Sequence, residues 1–367
     1  MDNPNTQFSK HKNGSPGDPI SNGMKLLVIT QKVDQNDPVL GFFHRWIEAL
    51  AAKIELVTII CLEEGSHNLP HNVRVLSLGK EAKKSRRVYL LRFFSYVWKD
   101  RKKYDSVFVH MNEEYVLLAG LLWRVLSKKI ILWRNHTNGT LLTKLAVFFS
   151  NKVLCTSKYS FTARYKKTRL MPVGIDTEHF KRYGGISRLP YTLLYVGRIS
   201  PVKKIEIALD ALEILKSEGK FSLRIFGDAG HRDKLYADSL AGKSGRAGLP
   251  IMFSPSITQE RLPHVYNEHE ILLNMTQTGS FDKVILEHMA TEGVVIASNI
   301  SYKEELPENL QQFLTFRESD AKELAEKIMY VANLTSQERT TIGKQLRDIV
   351  VGKHSLEALV DTLVTLL

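Results

Sequence analysis

Eleven apolar runs of four to eight residues punctuate this chain, and helix-like segments stand between most of them. Runs this short, rich in Val, Ile and Leu and without polar alternation, fit strands buried on both faces, as parallel sheets require. Strand and helix in alternation predict a doubly wound α/β fold. The first six runs span 25–30, 55–62, 73–78, 106–110, 129–133 and 152–156, with helical segments at 41–52, 83–102, 113–126 and 140–150. A stretch without clear period follows, DTEHFKRYGGISRLP at 176–190, with paired glycines and a proline. Five further runs span 192–196, 222–226, 250–253, 271–275 and 294–297. Their helices are expected at 203–216, 232–241, 259–267, 283–291 and 321–334, and an amphipathic helix at 355–366 ends the chain.

Two Rossmann-like halves of similar size, joined by a short linker, create an interdomain cleft. The expected domains cover 24–180 and 190–350, behind a tail at 1–23 that is rich in Asn, Pro, Gly and Ser and reads as disordered. In open parallel sheets ligands sit beyond the carboxyl ends of the strands, so function belongs in the loops that follow strands.

Composition removes several classes. A chain of 367 residues buries a large core without staples. Its two cysteines, Cys61 and Cys155, lie inside apolar runs without a Cys-x-x-Cys, so neither a disulfide framework nor a thiolate metal site is expected. No apolar run reaches the roughly 18 residues of a membrane span. The first 23 residues are polar and carry no signal-peptide pattern, so a cytoplasmic location is expected.

The net charge of +12 is uneven. Between Lys80 and Lys103 ten Lys/Arg face two acids, which places +8 in 24 residues. Such a patch calls for an anionic partner: membrane headgroups, a nucleic acid or an acidic polymer. Within it, KKSRRVYLLRFFSYVWKDRKK (83–103) reads as a basic amphipathic helix. Tyr89, Phe93, Tyr96 and Val97 recur at helical spacing and would pack on the sheet, leaving Phe94 and Trp98 to reach an anionic membrane surface. A crossover helix with a solvated basic face fits the same pattern.

Four loops after strands hold the residues suited to chemistry. QKVDQNDPVLG (31–41) leads to Gly41 at a helix start, where a backbone approaches an anion easily; an ordinary turn fits equally well. In VGRISPVKK (196–204), Arg198 follows a strand and Lys203 is expected to open the next helix. Two cations there can hold a diphosphate, or form a solvated basic turn. In TGSFDKVILEHMATEGVVIAS (278–298), backbone amides precede a helix and Glu287 can accept from sugar hydroxyls; a capped helix with a solvated Glu competes. His136, in Trp133-Arg134-Asn135-His136, can exchange a proton with a substrate hydroxyl or be a surface residue, and His110 is a weaker candidate.

Other matches fail. Gly242-Lys243-Ser244 lacks the first P-loop glycine and a preceding strand. Gly227-Asp228-Ala229-Gly230 is no full dinucleotide fingerprint, though Gly227 fits a turn approaching a phosphate. His264, His269 and His288 lack metal-ligand spacing.

These segments, in this order, resemble the group 1 glycosyl transferases, family 4, with the GT-B fold. The resemblance runs from Met24 to the C-terminus and is strongest in the second half. It rests on VGRISPVKKIEIALDAL, on FSLRIFGDAG, on the 278–298 segment and on LMPVGIDTEHF. It implies a first domain on the acceptor side, completed by the C-terminal helix at 353–367, and a second domain that binds a nucleotide sugar. Arg198 and Lys203 correspond to the pair on the donor diphosphate, Glu287 to the glutamate on the nucleotide ribose, and His136 to the histidine near the transferred sugar. Gly41 corresponds to the loop glycine that meets donor and acceptor, while Ser280 and Phe281 supply backbone near phosphate and sugar.

One departure stands out. The family's first glutamate falls at Gly279, so a carboxylate that usually binds the donor sugar is missing, and Asp282 is a candidate replacement. Asp282 and Lys283 also stand where the family has small or apolar residues. The resemblance implies retaining, metal-independent transfer from a UDP-, GDP- or other nucleoside-diphosphate sugar to a glycan or lipid-linked acceptor, with no cofactor. A nucleotide-sugar epimerase or sugar phosphorylase on the same fold is the alternative. A basic nucleic-acid-binding protein is a remoter one, since no nucleic acid partner is expected from the donor-site motifs.

Overall fold

The computed structural model describes residues 23–276, Gly279 and residues 281–367. The expectation of a disordered tail thus falls almost wholly outside the described residues.

The first domain alternates β1 (Lys25–Val33), α1 (Phe42–Ala51), β2 (Leu56–Glu64), β3 (Val73–Ser77), α2 (Arg86–Lys99), β4 (Ser106–His110), α3 (Glu114–Val125), β5 (Lys129–Trp133), α4 (Leu141–Phe149), β6 (Lys152–Cys155) and β7 (Thr168–Leu170). All seven strands are parallel, in the order β3-β2-β1-β4-β5-β6-β7. The strand order reverses at β1 and β4, which leaves a crevice beyond their carboxyl ends. Two clusters cover the two sheet faces. One gathers Phe43, Trp46 and Trp133 with α1, and the other gathers Phe93, Tyr115 and Trp123 beneath α2, α3 and α4. Cys61 and Cys155 are free and buried.

The second domain repeats the scheme with β8 (Thr192–Val196), α5 (Glu206–Ile214), β9 (Ser222–Phe226), α6 (Lys234–Ala247), β10 (Ile251–Ser254), α7 (Leu262–Glu268), β11 (Ile271–Asn274), α8 (Lys283–Ala290) and β12 (Val294–Ala297). Its sheet is parallel, in the order β10-β9-β8-β11-β12, and reverses at β8 and β11. Helices α9 (Ile300–Glu305), α10 (Glu308–Leu314), α11 (Ala321–Asn333) and α12 (Ser336–Ile349) complete it.

The chain then returns. A π-helical turn at Val350–His354 leads to α13 (Leu356–Val364), whose Leu359, Val360 and Leu363 join the core around Trp46 in the first domain. At the crossing, His354 O accepts from Gly174 N at 3.0 Å and Ile175 N at 2.8 Å, and Leu356 N donates to Ile175 O at 2.8 Å.

Several boundaries differ from the sequence expectation. The helix expected to open at Lys203 begins at Glu206, because Pro201–Lys203 forms a single 3-10 turn and Lys204 is left-handed at φ +48°. Helix α6 continues past Ala241 to Ala247, where Gly248 at φ +57° ends it, so Gly242-Lys243-Ser244 lies inside a helix. Strand β7 and helices α9, α10 and α12 were not anticipated.

Candidate functional site

At the carboxyl ends of β8 and β9 the backbone turns on Gly197 and Gly227. A Cβ at Gly227 would lie 1.9 Å from the Gly197 carbonyl oxygen, so the two turns touch main chain to main chain and only glycine fits at 227. Arg198 follows, its carbonyl held by the Tyr195 hydroxyl at 3.0 Å and its side chain exposed. Together these turns wall a cleft of about 350 Å³. Pro38, Val39 and Phe42 of the first domain form the facing wall, and Lys283 and Glu287 line it as well. Of the sequence-predicted residues, Arg198, Gly227, Lys283 and Glu287 therefore meet at one cavity.

Gly41 stands just behind that wall. Its own N–H donates to Asp37 O at 2.9 Å, and a Cβ there would come within 2.5 Å of that oxygen. The missing side chain lets the 37–40 turn fold against the start of α1, which sets Val39 and Phe42 into the cleft.

Lys203 and Asp282 lie one layer deeper. Lys203 Nζ donates to Asp282 Oδ2 at 2.7 Å, and the same oxygen accepts from Asn274 Nδ2 at 3.0 Å and Thr276 Oγ1 at 2.6 Å. Burial alone would raise the Asp282 carboxyl; the Lys203 ammonium and these donors outweigh it and hold it below the usual carboxylate range. Asp282 is thus engaged in anchoring Lys203, which argues against its replacing the carboxylate absent at Gly279.

Lys283 bridges the domains. Its Nζ donates to Val173 O at 3.0 Å and sits 4.1 Å from the Phe42 ring centroid and 4.8 Å from that of Trp46. Burial pulls its pKa down to about 8, opposed by the charge of Glu287 one turn on. The Glu287 carboxyl is pushed up by burial, while Lys283 and a hydrogen bond from the Tyr266 hydroxyl at 2.9 Å oppose the shift. A lysine at this position therefore keeps a charged glutamate tolerable in a buried wall.

The remaining predicted residues are placed as follows. His136 is exposed in the loop before α4, outside the lining of the cleft, and its carbonyl accepts from Phe161 N at 2.9 Å. Its neighbour Thr137 reaches the second domain: a Cβ at Gly279 would lie 2.2 Å from Thr137 Cγ2. The volume of the missing side chain is thus taken by a threonine from the opposite domain. Phe281 is buried, its ring 5.7 Å from that of His354 at the crossing. Ser280 lies outside the described residues. His110 is in the core, stacked on Phe43 at 4.1 Å with its pKa pulled down to about 3 by burial and by Lys283, which makes it an uncharged core residue.

Sequence reasoning missed the Asp228–Ser256 pair at the cleft and the part of Phe42 in its wall. Both residues of the pair follow strands, β9 and β10, so the search rule that found Arg198 would have reached them. A larger cavity, about 440 Å³, opens at the amino ends of β8 and β11. Its arginines are committed, Arg182 and Arg188 to backbone carbonyls and Arg339 to Glu270 at 2.9 Å, and no predicted residue lines it. Among the described residues no group of three or more His, Cys, Asp and Glu side chains converges as metal ligands would.

Residues 190–333 match the family model of the glycosyl transferases group 1. A search of curated proteins by sequence finds no match. Among solved structures, Anabaena HepE in complex with UDP aligns at 16% identity over 93% of this chain and 99% of that one, with a TM-score of 0.75. HepE in complex with UDP-glucose aligns at 15% identity over 94% and 100%, with a TM-score of 0.74. Sucrose-phosphate synthase from Thermosynechococcus elongatus aligns at 18% identity over 93% and 98%, with a TM-score of 0.72. At these identities the likeness carries the fold, two Rossmann-like domains facing a cleft in the GT-B arrangement.

Proposed function

We infer, from a second domain whose residues 190–333 match the family model of the group 1 glycosyl transferases, that this chain moves a sugar from a nucleoside-diphosphate donor to a glycan or lipid-linked acceptor. The observation that carries this reading is the cleft, where Arg198, Gly227 and Glu287 face Val39 and Phe42 across the domain boundary. HepE, which shares the fold, has been seen with UDP and with UDP-glucose, which favours a UDP-sugar as the first donor to try.

The chemistry follows from charge. As the anomeric bond breaks, the departing nucleoside diphosphate gains negative charge. Arg198, exposed at the cleft, and Lys203, held in place by Asp282, are the cations to stabilise it. In this reading His136, at the lip, meets the acceptor hydroxyl. Phe281 supplies backbone beside the donor. Transfer is proposed to retain anomeric configuration, with attack from the face the leaving group departs, since among the described residues the cleft carboxylates are engaged, Asp228 by Ser256 and Glu287 by Tyr266. It is proposed to need no metal or cofactor, the two cations carrying that charge.

A thermal-shift panel of UDP, GDP, ADP and their sugars tests the reading. A nucleotide at 100 times its dissociation constant adds about 2.7 kcal/mol of stability. No shift from any member would remove the donor assignment. Activity that disappears with EDTA and returns with Mg²⁺ or Mn²⁺ would remove metal independence. The absence of the sugar-side carboxylate at Gly279 favours one second reading, a nucleotide-sugar epimerase, which turnover without acceptor would reveal.

A further inference from the structure

We propose that the outer face of α2, α3 and α4 is a docking surface for an anionic lipid bilayer. These three helices lie side by side on one face of the first sheet. Phe93 of α2 packs against Tyr115 and Trp123 of α3, at 5.1 and 6.2 Å between ring centroids. Gly120 of α3 lets α4 come close, since a Cβ there would meet Phe149 at 3.0 Å. Their inner faces share one core.

Each helix is also apolar on the side turned to solvent. On α2 the exposed stripe is Leu91, Phe94 and Trp98. On α3 it is Leu118, Leu121 and Val125, the last two 66% and 74% exposed. On α4 it is Leu141, Leu145 and Phe148, with the first and last 70% and 69% exposed. Spacings of three and four residues recur in all three stripes, so the pattern is a second amphipathic face and not scatter. A helix apolar on both sides needs a cover on both.

Charge identifies the cover. The α2 segment brings exposed Lys83 and Lys84 before the helix, Arg86 and Arg87 in its first turn, Lys99 at its end and Lys102 just beyond it, none with an acidic partner among the described residues. Arg101 lies over the Trp98 ring at 4.3 Å, joining a cation to the apolar stripe. Leu and Phe flanked by unpaired Lys and Arg match the acyl boundary and headgroups of an anionic leaflet. A second copy of the chain would set like charges against each other.

The face also runs to the cleft. Helix α4 begins five residues after His136, and Thr137 of the same loop touches Gly279 across the domain boundary. Leu141 therefore stands at the lip where, on the reading proposed above, an acceptor enters. A bilayer seated on this face would present a lipid-linked acceptor to the cleft from the side.

The full chain, without donor or acceptor, is sedimented with vesicles of phosphatidylcholine alone and with an equal mixture of phosphatidylcholine and phosphatidylglycerol. Binding is expected only to the mixture, and it weakens with salt. Leu121→Gln, Leu141→Gln and Phe148→Gln combined should cut the bound fraction about tenfold with an unchanged melting temperature, because the apolar face and not charge alone makes the contact. Light scattering of the lipid-free chain should give a monomer mass. Equal recovery in the supernatant from both vesicles overturns the proposal, as does wild-type binding by the triple variant. A lipid-free dimer that the triple variant dissolves assigns the face to self-association instead. Because no step of this assay uses donor, its failure and that of the transferase reading are separable.

Discussion

Lys203 and Asp282 form an ion pair across the point where the second sheet reverses its strand order, with Lys203 Nζ 2.7 Å from Asp282 Oδ2. The lysine follows β8, the aspartate follows β11, and those strands are neighbours. An ammonium that would otherwise swing on four methylenes is thereby fixed beside the turn that carries Arg198. Pairing lowers the cost of holding a half-buried cation and aims it, the two requirements for stabilising a departing anion.

The two cations should separate in experiment. Arg198→Ala is expected to slow transfer by about two orders of magnitude with an unchanged melting temperature. Lys203→Met leaves the half-buried Asp282 carboxylate without its counter-charge, held by Asn274 and Thr276 alone, and should also cost about 1–3 kcal/mol of stability in chemical unfolding. Adding Asp282→Asn to Lys203→Met should return most of that stability and none of the activity. Near-normal turnover in both single variants would sink the diphosphate assignment.

Glu287→Gln keeps the shape of the buried wall and removes the charge facing Lys283. Calorimetric titration should show nucleotide binding weaker by about 1.5–3 kcal/mol, the range for a hydrogen bond to a charged group. An unchanged dissociation constant would leave Glu287 a role in packing beside Tyr266 alone.

Restoring a glutamate at Gly279 should fail by itself. Its Cβ would lie 2.2 Å from Thr137 Cγ2, and overpacking of this kind costs about 1–3 kcal/mol. Gly279→Glu combined with Thr137→Gly should recover only the part of the stability lost to that contact, because the φ of +158° at this position strains any side chain, and should bind the donor sugar more tightly than the single variant. Equal stability of Gly279→Glu and wild type would mean that the loops part at no cost.

Stability should fall in mild acid. Burial, helped by Lys283 for His110 and by Arg188 for His288, pulls both imidazoles down to about 3. Between that value and the ordinary 6.5 the unfolded chain binds more protons than the folded one. Stability is then fully present above pH 6.5 and declines as pH falls toward 3, by about 1.4 kcal/mol per pH unit for each histidine. Urea unfolding of His110→Asn across this range should show a slope shallower by one proton. An unaltered slope would show that His110 takes up its proton in the folded state.

The central strands were legible because they are buried on both faces and bounded by polar turns: Ser106–His110, Lys129–Trp133, Thr192–Val196 and Val294–Ala297 fall where their apolar runs do. Helix α12 was not, because SQERTTIGKQLRDI holds few apolar residues and a glycine, Gly343, against which the Glu292 carbonyl packs. Its one local mark is the Thr335–Glu338 capping box. Residues of the cleft wall were readable from their place after strands. The Lys203–Asp282 pair, the Lys283 contact with Val173 and the approach of Thr137 to Gly279 join residues 79, 110 and 142 positions apart, and no local pattern encodes them.

The two passages between the domains, at 173–176 and 354–356, are bonded to each other through Gly174, Ile175, His354 and Leu356. Two strands of chain pinned side by side in this way would act as one pivot if the halves moved. Sliding or twisting one half against the other would break those bonds, whereas a swing about their common line leaves them intact. Lys283, tied to Val173 and Gly174 at the pivot, then hardly travels when the jaws part. Val39 and Gly230 lie on opposite walls. A ligand that enters between those walls would thus pass the outer edge of the cleft and meet Lys283 at its inner end.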